Sequence, residues 1–342
     1  MNNNNTPNTP SGEKKHGGLV AAFAGILFVV CALLFTSGMV IPASDDTAEV
    51  LAYYDNVSEL SQSLNSDTVS FVYALPVTYN LPWNEEPTPV PDPECFTDTT
   101  YEDDSISVKY WTERHYDSDV HFAEVKIKSP TQIRTMLSGG SYNSSERFVP
   151  NQLAQQINAV VAVNGDFYGY RAKGYIIRQN VTYRTHTIGW DLLLIDDKGD
   201  FHIVNDFALE RSNILNDYHI VNTLHFGPSL IVDGKIKILS KKSGCGEKWN
   251  YIDSPRTAIG QLGELHYLLC VVEGRSDTSR GMVMDELAKV MYEHDCLQAY
   301  NLDGGQSSTL VFNGKPMNKP LWGGRRVMSD IVFFATAVPN EQ

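Results

Sequence analysis

The sequence lacks the surplus of basic residues that a nucleic-acid-binding protein needs. It carries 27 lysine and arginine residues against 41 aspartate and glutamate residues, which gives a formal net charge of −14. Because nucleic acid backbones are anionic, binding to them requires a basic surface. We therefore expect no nucleic-acid partner. An acidic balance suits an exported enzyme and a binding module equally well.

Cysteine is also scarce, and no two cysteines have zinc-finger spacing, which argues against a structural zinc site. Cys31 falls in a long apolar run, and the others are Cys95, Cys245, Cys270 and Cys296. Outside the cell these four could form disulfides, and the sequence does not choose among the pairings. Cys270 lies in an apolar strand-like run, so a buried free thiol is the alternative there.

Several familiar catalytic motifs are missing. The stretch 303–308 lacks the Gly-Lys-Ser/Thr ending of a P-loop, which argues against nucleotide hydrolysis. Ser307 has no Gly-x-Ser-x-Gly context for a serine nucleophile. The histidines are scattered without a His-x-x-x-His pair, so we interpret each as structural or surface. The sequence thus fixes no metal site, although the oxygen-rich side chains described below would suit calcium.

The N-terminal part is predicted to anchor the chain in a membrane. Residues 1–18 are polar and Asn-rich, which predicts a disordered leader. Residues 19–41 are apolar and uncharged, long enough to cross a bilayer as a helix. Lysines before this run and acidic residues after it favour a cytoplasmic leader and an extracytoplasmic remainder in a single-pass cell-membrane protein. A cleaved signal peptide is the alternative, but residues 41–43 (Ile-Pro-Ala) make a poor cleavage site.

A stalk is predicted between this anchor and the folded domain. It covers residues 42–100, with a weakly helical pattern at 45–64 and a proline-rich, semi-rigid spacer at 82–93. The folded domain is expected over residues 101–340.

Strand patterns outnumber helix patterns in that domain. Strands are predicted twice within 105–128, then at 159–163, 174–177, 192–195, 201–204, 229–232 and 265–272. A short helix is predicted at 150–157, and the clearest helix, 282–294, has an apolar stripe with methionines in the core. We therefore predict an α+β fold with a mixed, twisted β-sheet core and few helices, preceded by one N-terminal transmembrane helix.

The most informative stretch is 301–312, Asn-Leu-Asp-Gly-Gly-Gln-Ser-Ser-Thr-Leu-Val-Phe. An apolar approach delivers the carboxylate of Asp303 to Gly304 and Gly305, and Ser307 and Ser308 add two hydroxyls before a β-prone run. Glycines let a ligand approach the main chain closely, so such a turn can hold a sugar or a phosphate. The alternative is an ordinary Asp-Gly hairpin, in which these residues serve only turn geometry.

Two other buried strands also end in polar residues. Asn164 and Asp166 follow the strand at 159–163, and Glu273 follows the strand at 265–272. The second strand, the helix and the approach to Asp303 resemble a βαβ crossover, which predicts parallel neighbouring strands with Glu273 and Asp303 at one sheet edge. Cleaving a glycosidic bond typically needs two carboxylates. A single acidic residue in a loop is more often solvated or capping, so the argument depends on the group.

Arginines cluster beside these motifs in an otherwise acidic chain. They are Arg256, Arg275, Arg280, Arg325 and Arg326. Guanidinium groups match phosphate bidentately, so the cluster predicts an anionic substrate. Ion pairing with the neighbouring carboxylates is the alternative for some of them.

Taken in order, the motifs resemble the phosphodiester glycosidase family over about residues 105–338. The matching stretches are 164–168 (Asn-Gly-Asp-Phe-Tyr), 227–234 (Gly-Pro-Ser-Leu-Ile-Val-Asp-Gly), 255–260 (Pro-Arg-Thr-Ala-Ile-Gly), 273–275 (Glu-Gly-Arg), 281–282, 286–288, 301–309 and 325–329. The chain departs from the family pattern at Asp166 and Gln306, each in place of a glycine, at Glu273 in place of aspartate, and at Arg326 in place of proline. These departures concern the substrate more than the fold.

The resemblance implies an enzyme that hydrolyses a sugar-1-phosphate diester, here in a surface glycan or exopolysaccharide. We expect Asp303 and Glu273 to be the acid–base pair, without deciding which is which, and Arg256 and Arg275 to hold the phosphate with Arg325 in support. The residues expected to bond sugar hydroxyls or phosphate oxygens are Asn164, Gly304, Gly305, Ser307 and Ser308. No catalytic role is transferred to Asp166, because the family has none at that position.

Two other functions stay open. One is a non-catalytic glycan-binding or envelope-assembly protein on the same fold, which the altered glycine turns favour. The other is a phosphodiesterase that cleaves the P–O bond, although such enzymes normally need bound metal ions.

Overall fold

The computed structural model describes residues 88–209, 211–237, 244, 246–324 and 329–338. All of them belong to one unit, Thr68–Gln342. The predicted leader, the predicted anchor and most of the predicted stalk lie outside the described residues. Among the residues that are described, no helix is long and apolar enough to cross a membrane.

Strands dominate this part of the chain, with three α-helices between them. The strands are β1 (Thr100–Glu102), β2 (Ile106–His115), β3 (Ser118–Ile127), β4 (Ile133–Leu137), β5 (Val161–Asn164), β6 (Gly174–Arg178), β7 (Val181–His186), β8 (Asp191–Asp196), β9 (Phe201–Asn205), β10 (Ile220–Leu224), β11 (Ser229–Val232), β12 (Lys235–Ile236), β13 (Arg256–Gly263), β14 (His266–Val272), β15 (Gln298–Asn301), β16 (Leu310–Phe312), β17 (Lys315–Pro316) and β18 (Asp330–Phe334). The helices are α1 (Pro150–Gln156), α2 (Ile214–Asp217) and α3 (Met284–Glu293).

The sheets are antiparallel, so the predicted mixed sheet is wrong, whereas the β-rich fold with few helices is confirmed. The largest sheet has eight strands in the order β1-β2-β3-β14-β13-β15-β11-β12, and the second has five in the order β17-β16-β5-β18-β4. Two small sheets, β10-β8-β9 and β6-β7, complete the described part. All strand pairs that the structure describes run antiparallel.

The predicted βαβ crossover is also wrong in one respect, because β14 and β15 are not neighbours. Strand β13 lies between them and pairs antiparallel with both, with Arg256 opposite Val272 and Ala258 opposite Asn301. Two strands that are each antiparallel to β13 run in the same direction as one another. Residues that follow β14 and β15, such as Glu273 and Asp303, therefore emerge at the same end of β13.

Alternation along these strands sorts their side chains between two cores. One face of the eight-stranded sheet, including Ile259, Leu269 and Tyr300, packs with the five-stranded sheet, including Val163 and Phe334. The opposite face packs on α3, where Met284, Leu287 and Met291 are buried. The interior position predicted for the methionines is thus confirmed. The outer face of the five-stranded sheet is covered by α1, through Leu153 and Ala154, so the two large sheets pack together with α3 on one outer face and α1 on the other.

The stretch 302–309 carries the chain from one large sheet to the other. Strand β15 before it belongs to the eight-stranded sheet, and β16 after it belongs to the five-stranded sheet, where it pairs with β5. The hairpin alternative is therefore wrong, because the two flanking strands do not pair with each other. The crossing brings Asp303 beside Asn164 at the end of β5.

The described cysteines form no disulfides. Cys95, Cys270 and Cys296 are free thiols, and Cys245 lies outside the described residues. Two disulfides among the four cysteines would include one between two of these three free thiols, so the four cysteines do not form two disulfides. Burial raises the pKa of Cys270 and raises that of Cys296 to about 12, which keeps both protonated and unreactive at neutral pH.

Candidate functional site

Asp303 stands at the point where the chain leaves the eight-stranded sheet. Its side chain is almost buried, and its Oδ2 atom accepts a hydrogen bond from Ser307 Oγ at 2.5 Å. The Asp303 carbonyl accepts from Asn164 Nδ2 at 2.7 Å, and its N–H donates to the Gly165 carbonyl at 3.3 Å. Bonds on the side chain and on both main-chain groups hold this carboxylate in one position.

Asn164 fixes the crossing instead of facing a ligand. Its fully buried side chain donates to Asp303, while its Oδ1 accepts from Thr257 Oγ1 at 2.8 Å and from the Thr309 N–H at 3.1 Å. The side chain thereby joins β5, β13 and the entry to β16. Because both ends of the amide are used internally, the geometry gives Asn164 a positioning role in place of the expected contact with sugar or phosphate.

The glycines of the turn differ in what they do. A Cβ on Gly304 would lie 2.8 Å from the Pro255 carbonyl oxygen, so only glycine allows this close approach. Gly305 donates its N–H to the same oxygen at 2.9 Å and has a φ of +64°. A Cβ on Gly305 would meet no atom of the described residues within 4 Å. The turn is therefore fixed on the Gly304 side and open to a ligand on the Gly305 side.

The two serines of the turn are both buried. Ser307 is used by Asp303, as described above. The Oγ atom of Ser308 has no hydrogen-bond partner among the described residues. A buried hydroxyl without a partner is unusual in a folded protein, so Ser308 is suited to accept or donate a bond when a ligand is present.

Glu273 directly follows β14 and is also almost buried. Its Oε1 atom accepts the Lys319 backbone N–H at 2.6 Å and lies 3.0 Å from His121 Nε2. Burial alone would raise the pKa of Glu273, but the hydrogen bonds from His121 and Lys319 outweigh it and lower the pKa below the usual 4.5. Glu273 is therefore ionised at neutral pH.

His121 is a site residue that the sequence does not reveal. It lies on β3, the strand beside β14, and its Nδ1 contacts the Tyr110 hydroxyl at 2.8 Å. Because Nε2 faces an ionised carboxylate, we assign the ring proton to Nε2 and let Nδ1 accept from Tyr110. Its partner Glu273 is 152 residues away, so no local motif joins the two.

Arg256 points to the opposite face of the sheet from Thr257 and Asn164. Its Nε donates to the Met282 carbonyl at 2.8 Å, and its Nη2 donates to the carbonyls of Trp249 and Ile252, each at 2.7 Å. Burial, with the nearby charge of Arg275, lowers the pKa of Arg256 to about 9. The geometry therefore assigns Arg256 to hold main-chain carbonyls, in place of the expected phosphate contact.

Arg275 is exposed and lies beside the glycine turn. Its Nη2 donates to Ser254 Oγ at 2.8 Å, and its guanidinium lies over the Trp249 ring at 5.6 Å. Ser254 precedes Pro255, the residue that both Gly304 and Gly305 contact. Arg275 is thus placed where it can reach an anion bound at the turn.

The other arginines divide into two groups. Arg280 is ion-paired with Asp253 at 2.5 Å and with Glu286 at 2.9 Å, which is the ion pairing given above as the alternative to binding an anionic substrate. Arg325 and Arg326 lie outside the described residues.

Asp166 belongs to a buried ionic network. Its Oδ1 atom lies 3.0 Å from Arg178 Nη2, which also contacts Asp330 Oδ2 at 2.7 Å. Burial raises the pKa of Asp166, but the charges of Arg178 and Arg171 outweigh it and lower the pKa; burial and the Asp166 charge raise the pKa of Asp330. Among the described residues, Asp166 is ion-paired with Arg171 and Arg178.

The two carboxylates of the site flank Pro255, which precedes β13. Glu273 follows the residue paired with Arg256, and the turn after Asp303 bonds to the Pro255 carbonyl. Their chain segments are two strand spacings apart, or about 10 Å.

No group of three or more His, Cys, Asp or Glu side chains in the described ranges is arranged to hold a metal ion.

A groove of about 750 Å³ lies beside β6 and β10, and Tyr175, Tyr218 and His219 are among its lining residues. Neither Asp303 nor Glu273 lines this groove.

Comparison with known sequences points to one family. The sequence profile of the phosphodiester glycosidase family matches residues 157–334. The SPbeta prophage-derived uncharacterized protein YomE of Bacillus subtilis is 25% identical over 197 residues, which is 55% of this chain and 30% of that protein. Mouse N-acetylglucosamine-1-phosphodiester alpha-N-acetylglucosaminidase is 31% identical over 100 residues, which is 27% of this chain and 19% of that protein. The chain thus spans less than a third of the length of these relatives.

Comparison with solved structures supports the same fold. The catalytic domain of zebrafish N-acetylglucosamine-1-phosphodiester alpha-N-acetylglucosaminidase, auto-inhibited by its pro-peptide, aligns with a TM-score of 0.54 and 20% identity over 73% of this chain and 87% of that one. A hypothetical protein from Synechocystis aligns with a TM-score of 0.53 and 13% identity over 68% of this chain and 62% of that one. At these identities the likeness concerns the fold.

Proposed function

The chain belongs to the phosphodiester glycosidase family, and we propose that it hydrolyses a sugar-1-phosphate diester at the anomeric carbon. The observation that carries this proposal is the placement of Asp303 and Glu273. Both carboxylates are almost buried, and they emerge at the same end of β13, beside a glycine turn that is open at Gly305. Paired carboxylates of this kind are the usual machinery for cleaving a bond at an anomeric carbon.

The environments of the two carboxylates suggest a division of labour. Glu273 is held ionised by His121 and the Lys319 amide, so it is suited to take a proton from the attacking water or to attack the sugar itself. Asp303 is then the proton donor. In the water-attack form, the anomeric C–O bond breaks, water oxygen bonds to the anomeric carbon, Glu273 takes the water proton and Asp303 protonates the departing phosphomonoester.

The phosphate is proposed to lie on the Arg275 side of the turn. Arg275 is exposed and fixed by Ser254 and Trp249, whereas the Nε and Nη2 donors of Arg256 bond to main-chain carbonyls. Arg325 is proposed to support Arg275. Ser308 and the open side of Gly305 are proposed to contact the sugar, while Asn164, Gly304 and Ser307 hold the turn in shape.

The setting of the reaction is part of the proposal. We propose that residues 19–41 anchor the chain in the cell membrane, with the catalytic domain on the extracytoplasmic side and a surface glycan or exopolysaccharide as substrate. Its support is the uncharged apolar run and the charges that flank it.

Sugar release from defined diesters tests the activity. The 342-residue chain is incubated with nucleotide sugars and aryl-phosphate sugars that differ in the sugar, and free sugar is assayed. We expect release from at least one donor and losses of about 10²- to 10⁴-fold in the variants Asp303→Asn and Glu273→Gln. Saturable binding without release would instead favour the glycan-binding protein given above as the alternative.

A further inference from the structure

Trp322 is the most exposed of the large apolar side chains that the structure describes, at 66%. Its backbone has φ +51° and ψ +35°, in the left-handed region that a bulky residue rarely adopts. Leu321 before it is buried, and Gly323 and Gly324 after it have φ values of +81° and +86°. The turn is therefore anchored through Leu321, while the indole of Trp322 stands largely in solvent.

This turn borders the candidate site. Leu321–Gly323 packs against Gly305–Ser307, the open part of the glycine turn. The Lys319 N–H donates to Glu273 Oε1 at 2.6 Å, and Asn318 Nδ2 donates to the Ser308 carbonyl at 2.9 Å. The chain leading into Trp322 is thus bonded both to Glu273 and to the turn that carries Asp303.

Neither the exposed side chain nor the left-handed backbone of Trp322 stabilises the fold. An indole that stays in solvent contributes little hydrophobic stabilisation. A left-handed backbone is strained for any residue other than glycine, asparagine or aspartate. Strained residues of this kind cluster at functional sites, where the surrounding structure holds them in place. An aromatic ring offers a large, rigid apolar surface at a low cost in conformational entropy, which matches the C–H face of a pyranose ring.

We propose that Trp322 forms an aromatic subsite that stacks on the apolar face of a sugar ring bound at the Asp303 turn. The subsite sets affinity for the sugar and takes no part in proton transfer. This inference rests on the proposed function for the position of the sugar. It concerns binding, which is measurable separately from hydrolysis.

The test compares substitutions that separate stacking from folding. Trp322→Gly removes the ring and suits the left-handed backbone, and Trp322→Phe keeps an aromatic ring. Phe207→Ala is the matched control, because Phe207 is 58% exposed and its ring lies beside Gly189, in a segment that directly follows β9. Each is made in the full chain carrying Asp303→Asn, and the Kd is measured by calorimetry for the methyl phosphodiesters of N-acetylglucosamine, glucose and mannose 1-phosphate.

We expect Trp322→Gly to weaken binding of the preferred diester about tenfold, Trp322→Phe to retain most of the affinity and Phe207→Ala to leave it unchanged. The Tm of Trp322→Gly is expected to equal or exceed that of its parent, because glycine adopts this backbone without strain. If Trp322 served only the fold, Trp322→Gly would lower the Tm and leave the Kd unchanged.

An unchanged Kd in Trp322→Gly overturns the subsite, and so does the absence of saturable binding for every diester. The same substitutions in the chain with Asp303 intact keep this result distinct from the proposed hydrolysis. Binding that depends on Trp322 in a chain that releases no sugar would refute hydrolysis and leave the subsite standing. Sugar release with a KM insensitive to Trp322→Gly would refute the subsite and leave hydrolysis standing.

Discussion

Glu273 shows how one carboxylate is prepared by its neighbours. It is almost buried, which disfavours its charge, yet a histidine ring nitrogen and a backbone amide both point at Oε1. Their effect exceeds that of burial, so the pKa falls. In the described part of the chain no hydrogen bond reaches Oε2, which leaves that atom free to act on a substrate.

His121→Phe should move the acid limb of the pH profile of kcat/KM to higher pH. The substitution removes a donor that favours ionised Glu273 while burial remains, so the pKa of Glu273 rises and the base is protonated at a higher pH. The same change lowers stability above pH 4.5, because ionised Glu273 loses a hydrogen bond. The measurement is kcat/KM on the preferred diester from pH 3 to 8.

Tyr110→Phe is the control, because it removes the hydroxyl behind His121 and leaves the bond to Glu273 in place. Its acid limb should stay close to that of the parent chain. An unshifted limb in His121→Phe would mean that Glu273 does not govern the acid side of the profile.

Arg256 and Arg275 should respond differently to the same substitution. Arg256→Met leaves three main-chain carbonyls without their donor, so we expect a loss of about 3 kcal/mol in the free energy of unfolding. Arg275→Met should leave stability within about 1 kcal/mol and weaken phosphodiester binding. Denaturant unfolding and calorimetry check the pair, and a stable Arg256→Met chain with impaired phosphate binding would reverse the assignment.

The acidic and basic residues near the motifs could be identified from the sequence, but not the direction that each side chain takes. Asp166 and Asp303 both follow β-prone runs beside glycine, yet Asp166 is enclosed by Arg178 and Asp330. Arg256 and Thr257 are adjacent, yet they face opposite sides of the sheet. These differences depend on partners far away in the chain, as His121 does for Glu273.

At the scale of elements, the crossing at 302–309 positions the site, and Asn164 holds it. This one side chain joins β5, the neighbour of β16 in one sheet, to β13, the neighbour of β15 in the other. Asn164→Ala is expected to cost about 2–3 kcal/mol, because it leaves buried donors and acceptors unpaired. It should also reduce kcat, since the Asp303 carbonyl loses its donor.

Thr257→Val provides a graded control, because it removes only one of the bonds to Asn164. Its loss of stability, measured by denaturant unfolding, should be about half that of Asn164→Ala or less. Equal losses in the two variants would show that the bond from Thr257 alone accounts for the effect of Asn164.

Most strongly patterned elements could be predicted from the sequence, including β2, β3, β8, β11, β14 and α3. The pairing of strands was harder to predict. Strand β13 contains polar residues and two glycines, so it gave no apolar run, yet it separates β14 from β15. The pattern of the glycine turn likewise fitted a hairpin, because nothing local shows that the next strand joins another sheet.

At the scale of the whole molecule, a buried ion network links two sheets. Arg178 on β6 contacts Asp166 after β5 and Asp330 on β18, and all three side chains are buried. Arg171 adds a second cation at 3.7 Å from Asp166 Oδ2, so Arg178 is the cation that the two carboxylates share. Burying the charges of Asp166 and Asp330 is unfavourable unless the Arg178 cation compensates them.

Arg178→Met should lower the free energy of unfolding by about 3–5 kcal/mol at pH 7, because two buried carboxylates lose their cation. Their pKa values then rise in the folded state, which binds protons more readily than the unfolded state. The variant should therefore recover part of the lost stability between pH 7 and pH 5. Urea unfolding at both pH values measures this.

Arg280→Met is the matched control, since Arg280 pairs with carboxylates near the surface. Its loss should stay within about 1 kcal/mol and should not shrink toward pH 5. A loss in Arg178→Met no larger than in this control would contradict the importance of the network.

The central claim is that the chain breaks the bond between the anomeric carbon and oxygen. Hydrolysis of the preferred diester in ¹⁸O-labelled water, followed by mass spectrometry of both products, tests it most directly. We predict that the label enters the sugar hydroxyl, that the phosphomonoester stays unlabelled, and that Asp303→Asn gives almost no product. Label in the phosphate would instead establish P–O cleavage and contradict the glycosidase mechanism.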